Sequence, residues 1–205
     1  MKNFFIKQFL LFTIFSLVAA ASYAGFVAKW GFRDGSDRFS LERILDGTAH
    51  RPFVYRQLVP IIANEIERIT PEKISTKIVN VYNFGPFRYY NKATNLSNKT
   101  NAYKYKWIII YWMGFFFLLV SLYLLKNTLS LFGVSEVASI LAPCLFSLFL
   151  PIIQTVGGYY YDFSELFFMA LVMLLMIKNH YWLAVATVCF ATLNKESFVF
   201  FIPTL

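Results

Sequence analysis

Apolar residues fall in five runs, at about 9–27, 107–125, 137–153, 163–177 and 181–193, separated by short polar punctuation and one long polar interval. An α-helix needs about 20 apolar residues to cross a hydrocarbon layer about 30 Å thick, because each residue advances about 1.5 Å. The pattern predicts an all-α fold, a polytopic transmembrane helical bundle forming one domain over 1–205, with a long outer loop at 29–106. The first run follows Lys2 and Lys7 and ends on Ser22-Tyr23-Ala24, small-residue punctuation of the kind that closes a signal peptide. Its length and the further runs behind it predict an uncleaved first span.

The last run is short. Residues 181–193 rise only about 20 Å, and Asn194, Lys195 and Glu196 follow at once. An ion well inside hydrocarbon costs at least about 2.5–3.5 kcal/mol on insertion scales, so such residues face a cavity, pair with each other or serve a site. Either one helix continues through Lys195 toward Leu205, or two short helices meet near Asn194 and line a wet cavity; the second is the better reading. The close on Ile202-Pro203-Thr204-Leu205, without a polar tail, reads as the N-terminal part of a longer polytopic protein or as a shortened relative with a partner subunit.

The long interval has its own pattern. Ser40 is placed to cap a short helix over 41–45, with Asp46-Gly47 ending it. In 54–69, Leu58, Ile61, Ile62, Ile66 and Ile69 recur at helical spacing while most polar residues fall elsewhere, the pattern of an interfacial helix. Pro60 either bends that helix or marks its first turn. Thr70-Pro71-Glu72 restarts a helix through about Tyr82, and 85–106, rich in Asn, Lys, Thr and Tyr, reads as a mobile surface loop.

Composition narrows the class. With 58% hydrophobic, 20% aromatic and 15% charged residues, the chain belongs with membrane proteins and not with water-soluble cores. Cys144 and Cys189 lie in apolar runs, which suits buried thiols better than a disulfide. The net charge of +8 raises nucleic acid as a partner, but no basic stripe accompanies a recognition module, and none is expected. Across 29–106, 14 Lys and Arg stand against 7 Asp and Glu; membrane lipid headgroups or a phosphorylated substrate account for that excess. Lys2, Lys7, Lys126 and Lys178 fall on one side of the spans and 157–162 holds no Lys or Arg. The positive-inside rule then predicts a cytoplasmic N-terminus in a bacterial inner membrane, the long loop being exempt.

Motifs of soluble enzymes are absent: there is no Gly-rich phosphate loop, no serine elbow and no metal-ligand pair in His50 and His180. Three polar clusters remain, expected to converge at the outer face. In Arg33-Asp34-Gly35-Ser36-Asp37 a carboxylate can act as general base, while turn formation explains the same residue types. In 51–60, Arg51 and Arg56 can clamp phosphate through planar guanidinium forks, or snorkel toward headgroups. The third joins Gly157 to Asp162, with Tyr159, Tyr160 and Tyr161 as a sugar platform or an aromatic belt, to Asn194-Lys195-Glu196-Ser197. Asp162 and Glu165 suit a helix N-terminus; Lys195 is expected to pair with Glu196 or with Asp162.

The order of these features, an outer loop opening with an acid, Arg51-Pro52 through Pro60, Tyr161-Asp162 and Asn194-Lys195-Glu196-Ser197, resembles the N-terminal half of the GT-C superfamily of polytopic glycosyltransferases. The resemblance implies transfer of a sugar, as in mannosyltransferase-like members, from a polyprenyl-phosphate donor to an acceptor outside the membrane. It implies Asp34 as acceptor-activating base, with Asp37 as the alternative. Substrate binding would fall to Arg51, Arg56, Tyr161, Asp162, Lys195 and Glu196. No metal ligand is assigned, although a divalent ion on Asp34, Asp37 and Asp162 is compatible with their oxygens. The competing expectation is a non-enzymatic membrane protein, a lipid-linked sugar transporter or assembly subunit, whose buried ions mark a passage or a helix contact.

Overall fold

A computed structural model describes residues 2–32, 36, 38–84, 96–155, 158–198 and 200. Among the described residues it is all-α, without strands. The helices are α1 (Lys2–Trp30), α2 (Leu41–Leu45), α3 (Leu58–Ile69), α4 (Glu72–Phe84), α5 (Asn101–Leu131), α6 (Glu136–Ile153), α7 (Asp162–Ile177) and α8 (Tyr181–Asn194). Short 3-10 turns lie at Phe53–Tyr55 and Leu96–Asn98. Among the described residues three helices, Phe4–Trp30 of α1, α5 and α6, are long and apolar enough to cross a membrane, and α8 is a shorter apolar helix.

Side-chain pairs set the directions. Phe15 meets Tyr123 at 4.8 Å between ring centroids and Tyr23 meets Tyr111 at 5.0 Å, so α1 and α5 run antiparallel. Lys7 pairs with Glu136 at 2.6 Å and Lys29 reaches Pro151 at 2.9 Å, so α1 and α6 run parallel. The bundle core is aromatic: Tyr23, Phe26 and Phe163 are fully buried, and Phe163 meets Tyr23 and Phe26 edge to face at 4.9 and 4.6 Å, the arrangement favoured by ring quadrupoles. Gly114 is what lets Tyr23 lie so close to α5, for a Cβ there would sit 2.3 Å from the Tyr23 hydroxyl oxygen. The first run is thus an integral helix of the bundle.

Two prolines inside α6, Pro143 and Pro151, remove backbone donors. The Ser147 carbonyl, four residues before Pro151, instead accepts a hydrogen bond from the Ser22 hydroxyl at 2.6 Å. Lys29 Nζ donates to the carbonyls of Pro151 and Gln154 at 2.9 and 2.8 Å, satisfying acceptors that a helix C-terminus leaves open.

Residues 38–84 cap one end of the bundle. Ser40 caps α2 by accepting from the Arg43 amide, and Gly47 follows the helix at φ +69, a left-handed turn that glycine adopts without strain. Pro60 sits in the first turn of α3, where its missing donor is harmless. The apolar stripe expected for this helix is only partly turned toward protein. Val59 and Ala63 are its buried face, whereas Ile61 and Ile69 are 51% and 73% exposed. Isoleucines left exposed on one side of α3 are what an interfacial helix presents to lipid, while its other side packs on α5.

The expected loop at 85–106 is corrected over its second half. Thr100 caps α5 by accepting from the Tyr103 amide, and the helix is already running at Asn101. At about 1.5 Å per residue such a helix outruns the hydrocarbon layer, and its first turns form a stem for α3 and α4. Thr70 Oγ1 lies 3.3 Å from the Tyr105 hydroxyl, Lys106 pairs with Glu67 at 3.8 Å, and Trp112 Nε1 donates to the Tyr82 hydroxyl.

Candidate functional site

The cap meets the bundle where α6 ends, α7 begins and α8 ends. The helix α8 stops at Asn194, and Lys195 is extended at φ −156, ψ 124 before a 3-10 turn. Asn194, 1% exposed, is satisfied there: its Oδ1 accepts from the Ser164 hydroxyl at 2.6 Å and its Nδ2 donates to the Tyr161 carbonyl at 3.4 Å. A buried amide costs little only when its polar atoms are paired, which explains this residue at the end of an apolar helix.

Lys195 pairs with neither residue expected for it. Its Nζ contacts both oxygens of Glu165 at 2.8 Å. Asp162 is held otherwise, Oδ2 accepting from Gln154 Nε2 at 2.7 Å and from the Tyr159 amide at 2.9 Å. These bonds tie the start of α7 to the end of α6 and leave the next turn of α7, bearing Glu165, to meet Lys195. Glu196 instead approaches Arg56 Nη2 at 3.6 Å.

Arg56 is 9% exposed and lies between two rings, its Cζ 4.4 Å from the Tyr161 centroid and 4.8 Å from that of Phe53, a geometry that favours guanidinium over ammonium. Its backbone carbonyl accepts from the Tyr160 hydroxyl at 2.9 Å. Burial raises the Tyr160 phenol well above its ordinary value, the Arg56 charge acting the other way, so this hydroxyl remains a donor at neutral pH. A further tie joins cap to bundle: the Gln57 amide donates to the Leu193 carbonyl at 3.0 Å.

Together Phe53, Arg56, Gln154, Tyr159, Tyr161, Asp162 and Lys195 enclose a cleft of about 320 Å³. Tyr159 and Tyr161 stack at 5.1 Å and 7°, presenting flat walls. Arg56 Nε, Gln154 Oε1 and the Tyr161 hydroxyl, on three of the lining residues, are buried without a hydrogen-bond partner among the described residues. On the cleft's lining Arg56 and Lys195 stand with the Asp162 carboxylate and the Gln154 amide, a set of charged and hydrogen-bonding groups suited to a polar ligand.

Of the residues singled out from sequence, Arg56, Tyr159, Tyr161, Asp162 and Lys195 line this cleft, and Glu196 adjoins it through Arg56. Arg51 does not: it is exposed, with Cζ 5.9 Å from the Tyr55 ring. Asp34 and Asp37, the two base candidates, lie outside the described residues, as does the terminal stretch 201–205. Gln154 and Phe53 were not singled out. A polar residue directly after the Pro151-containing end of an apolar run was the available signal for Gln154; Phe53 carried none beyond its proximity to Arg56. No group of three or more metal-ligating side chains occurs among the described residues.

The chain matches no family model, no curated protein and no solved structure. Function must therefore be argued from the cleft itself.

Proposed function

We propose that the chain is a GT-C-like membrane glycosyltransferase that binds a polyprenyl-phosphate sugar in this cleft and passes the sugar to an acceptor on the outer face. The observation that carries the reading is the gathering of Arg56, Gln154, Asp162 and Lys195 with the stacked Tyr159 and Tyr161 rings around one cleft. Arg56 would face the donor phosphate, and the stacked Tyr159 and Tyr161 would take an apolar sugar face. In the chemistry the GT-C resemblance implies, Asp34 or Asp37 takes the acceptor hydroxyl proton. The acceptor oxygen bonds to the anomeric carbon, and the bond from that carbon to the phosphate oxygen breaks with its electron pair leaving on the lipid phosphate. The protein then contributes orientation and positive charge where phosphate charge develops. In this reading the N-terminus is cytoplasmic and the membrane is a bacterial inner membrane, as the Lys2, Lys7, Lys126 and Lys178 asymmetry favours.

One observation favours the non-enzymatic alternative. Lys195 is fully engaged by Glu165, so this pair serves helix docking whether or not a substrate binds.

The test uses membranes carrying the chain, supplied with undecaprenyl phosphate bearing tritiated mannose, glucose or arabinose. Transfer that falls at least about tenfold in Arg56→Lys and in Asp34→Asn, with membrane insertion unchanged, supports the transferase. Transfer from none of the donors, together with donor flux in reconstituted vesicles, sinks it in favour of a transporter.

A further inference from the structure

The end of the bundle opposite the cleft holds a second cavity, and its chemistry differs. There the N-terminal part of α1, the C-terminal part of α5 and the first turns of α6 enclose a groove of about 310 Å³. Its walls are apolar, with Leu10, Ile14 and Ile140 among them, and Lys7, Lys126 and Glu136 stand at the rim. Leu10 and Ile14 are 54% and 44% exposed, so the apolar wall opens outward to the surroundings of α1, one of the three helices able to cross a membrane.

The rim charges are unequal in what they already do. Lys7 pairs with Glu136 at 2.6 Å. Lys126 makes no ion pair within 4.0 Å among the described residues and influences Glu136 only at longer range. The pair Lys7–Glu136 is neutral, which leaves the half-buried Lys126 ammonium above an apolar wall without an ion-pair partner among the described residues. The start of α6 adds the positive end of a helix dipole on the same side.

We propose that this groove binds an anionic phospholipid, the headgroup phosphate meeting Lys126 and an acyl chain lying along Leu10, Ile14 and Ile140. Charge complementarity selects the occupant. An ammonium at the membrane surface attracts a headgroup of net negative charge more strongly than a zwitterionic one, and the apolar wall rewards an acyl chain that a free inorganic anion lacks. The site stands apart from the cleft and does not depend on what the cleft does.

The full chain, purified in a neutral detergent, would be titrated with phosphatidylglycerol or with phosphatidylcholine of the same acyl chains. Bound lipid is counted by native mass spectrometry and stability read by thermal melting. Phosphatidylglycerol should be retained at least about fivefold over phosphatidylcholine, as one lysine at a membrane surface provides. Lys126→Gln should remove that preference without altering lipid-free melting, and Leu10→Trp, which fills the groove at constant charge, should lower retention of phosphatidylglycerol. Lys178→Gln, at the same end but outside the groove, should change nothing. Equal retention of the two lipids overturns the proposal. So does an equal loss in Lys178→Gln, which would mean diffuse surface charge, and so does stabilisation by inorganic phosphate alone, which would mean a free-anion site.

Discussion

Lys195 lies between the two carboxylate oxygens of Glu165, 2.8 Å from each, and this contact holds the end of α8 against the start of α7. Both side chains are about three-quarters buried, at 27% and 20% exposed, and burial of this kind leaves a lone survivor poorly solvated. Lys195→Met or Glu165→Gln alone should destabilise the bundle by about 1–3 kcal/mol, and the double variant should recover part of that loss. Unfolding curves in mixed micelles measure it. Strict additivity of the two single variants would mean that the pair contributes no coupling.

A sharper test concerns Ser22 and Pro151. The Ser22 hydroxyl supplies the Ser147 carbonyl with the hydrogen bond that Pro151 cannot. Ser22→Ala should therefore cost about 0.6–1.7 kcal/mol, the range found for hydrogen bonds between membrane helices. In a Pro151→Ala background the helix regains its own donor, and Ser22→Ala should become nearly neutral there. An unchanged cost in that background would falsify the account.

Gly114 fixes how closely α1 approaches α5. With a Cβ 2.3 Å from the Tyr23 hydroxyl and 2.9 Å from Cζ, Gly114→Ala must push the ring out of the core, at about 1–3 kcal/mol. Tyr23→Phe removes the nearer of the two clashes and leaves the other, so it should relieve the variant in part and not in full. Melting temperatures of the two single variants and the double variant decide this, and a full rescue would show that the ring itself moves freely.

Gly158 plays the same role beside the cleft. A Cβ at this position would stand 2.4 Å from two atoms of the Trp30 indole, just before the tyrosines that line the site. Gly158→Ala should shift Tyr159 and Tyr161, change Trp30 fluorescence, and lower transfer or ligand binding while leaving insertion and helix content intact. Unchanged fluorescence with reduced insertion would place the effect in the bundle as a whole.

By itself, the sequence determined the helices and the class of protein. Runs of apolar residues long enough to cross hydrocarbon leave the backbone little choice but helix, and local chemistry at Ser40, Asp46-Gly47 and Pro60 marked where helices of the cap start and stop. The second half of the supposed loop at 85–106 escaped notice because a helix stem built on Asn, Tyr and Lys has no apolar period; its stability comes from α3 and α4 packed against it.

What only the tertiary structure decided was which charged residues meet. Asp162 and Glu165 lie three residues apart on one helix face, so sequence spacing cannot say which of them faces Lys195; Gln154, arriving from α6, occupies Asp162 and settles it. Arg51 and Arg56 were likewise equivalent as sequence. The cap's docking on α8, through the Gln57 amide and the Leu193 carbonyl, buries Arg56 between Phe53 and Tyr161 and leaves Arg51 outside. Periodicity assigns faces to single helices, whereas the register between helices depends on contacts distant in the chain.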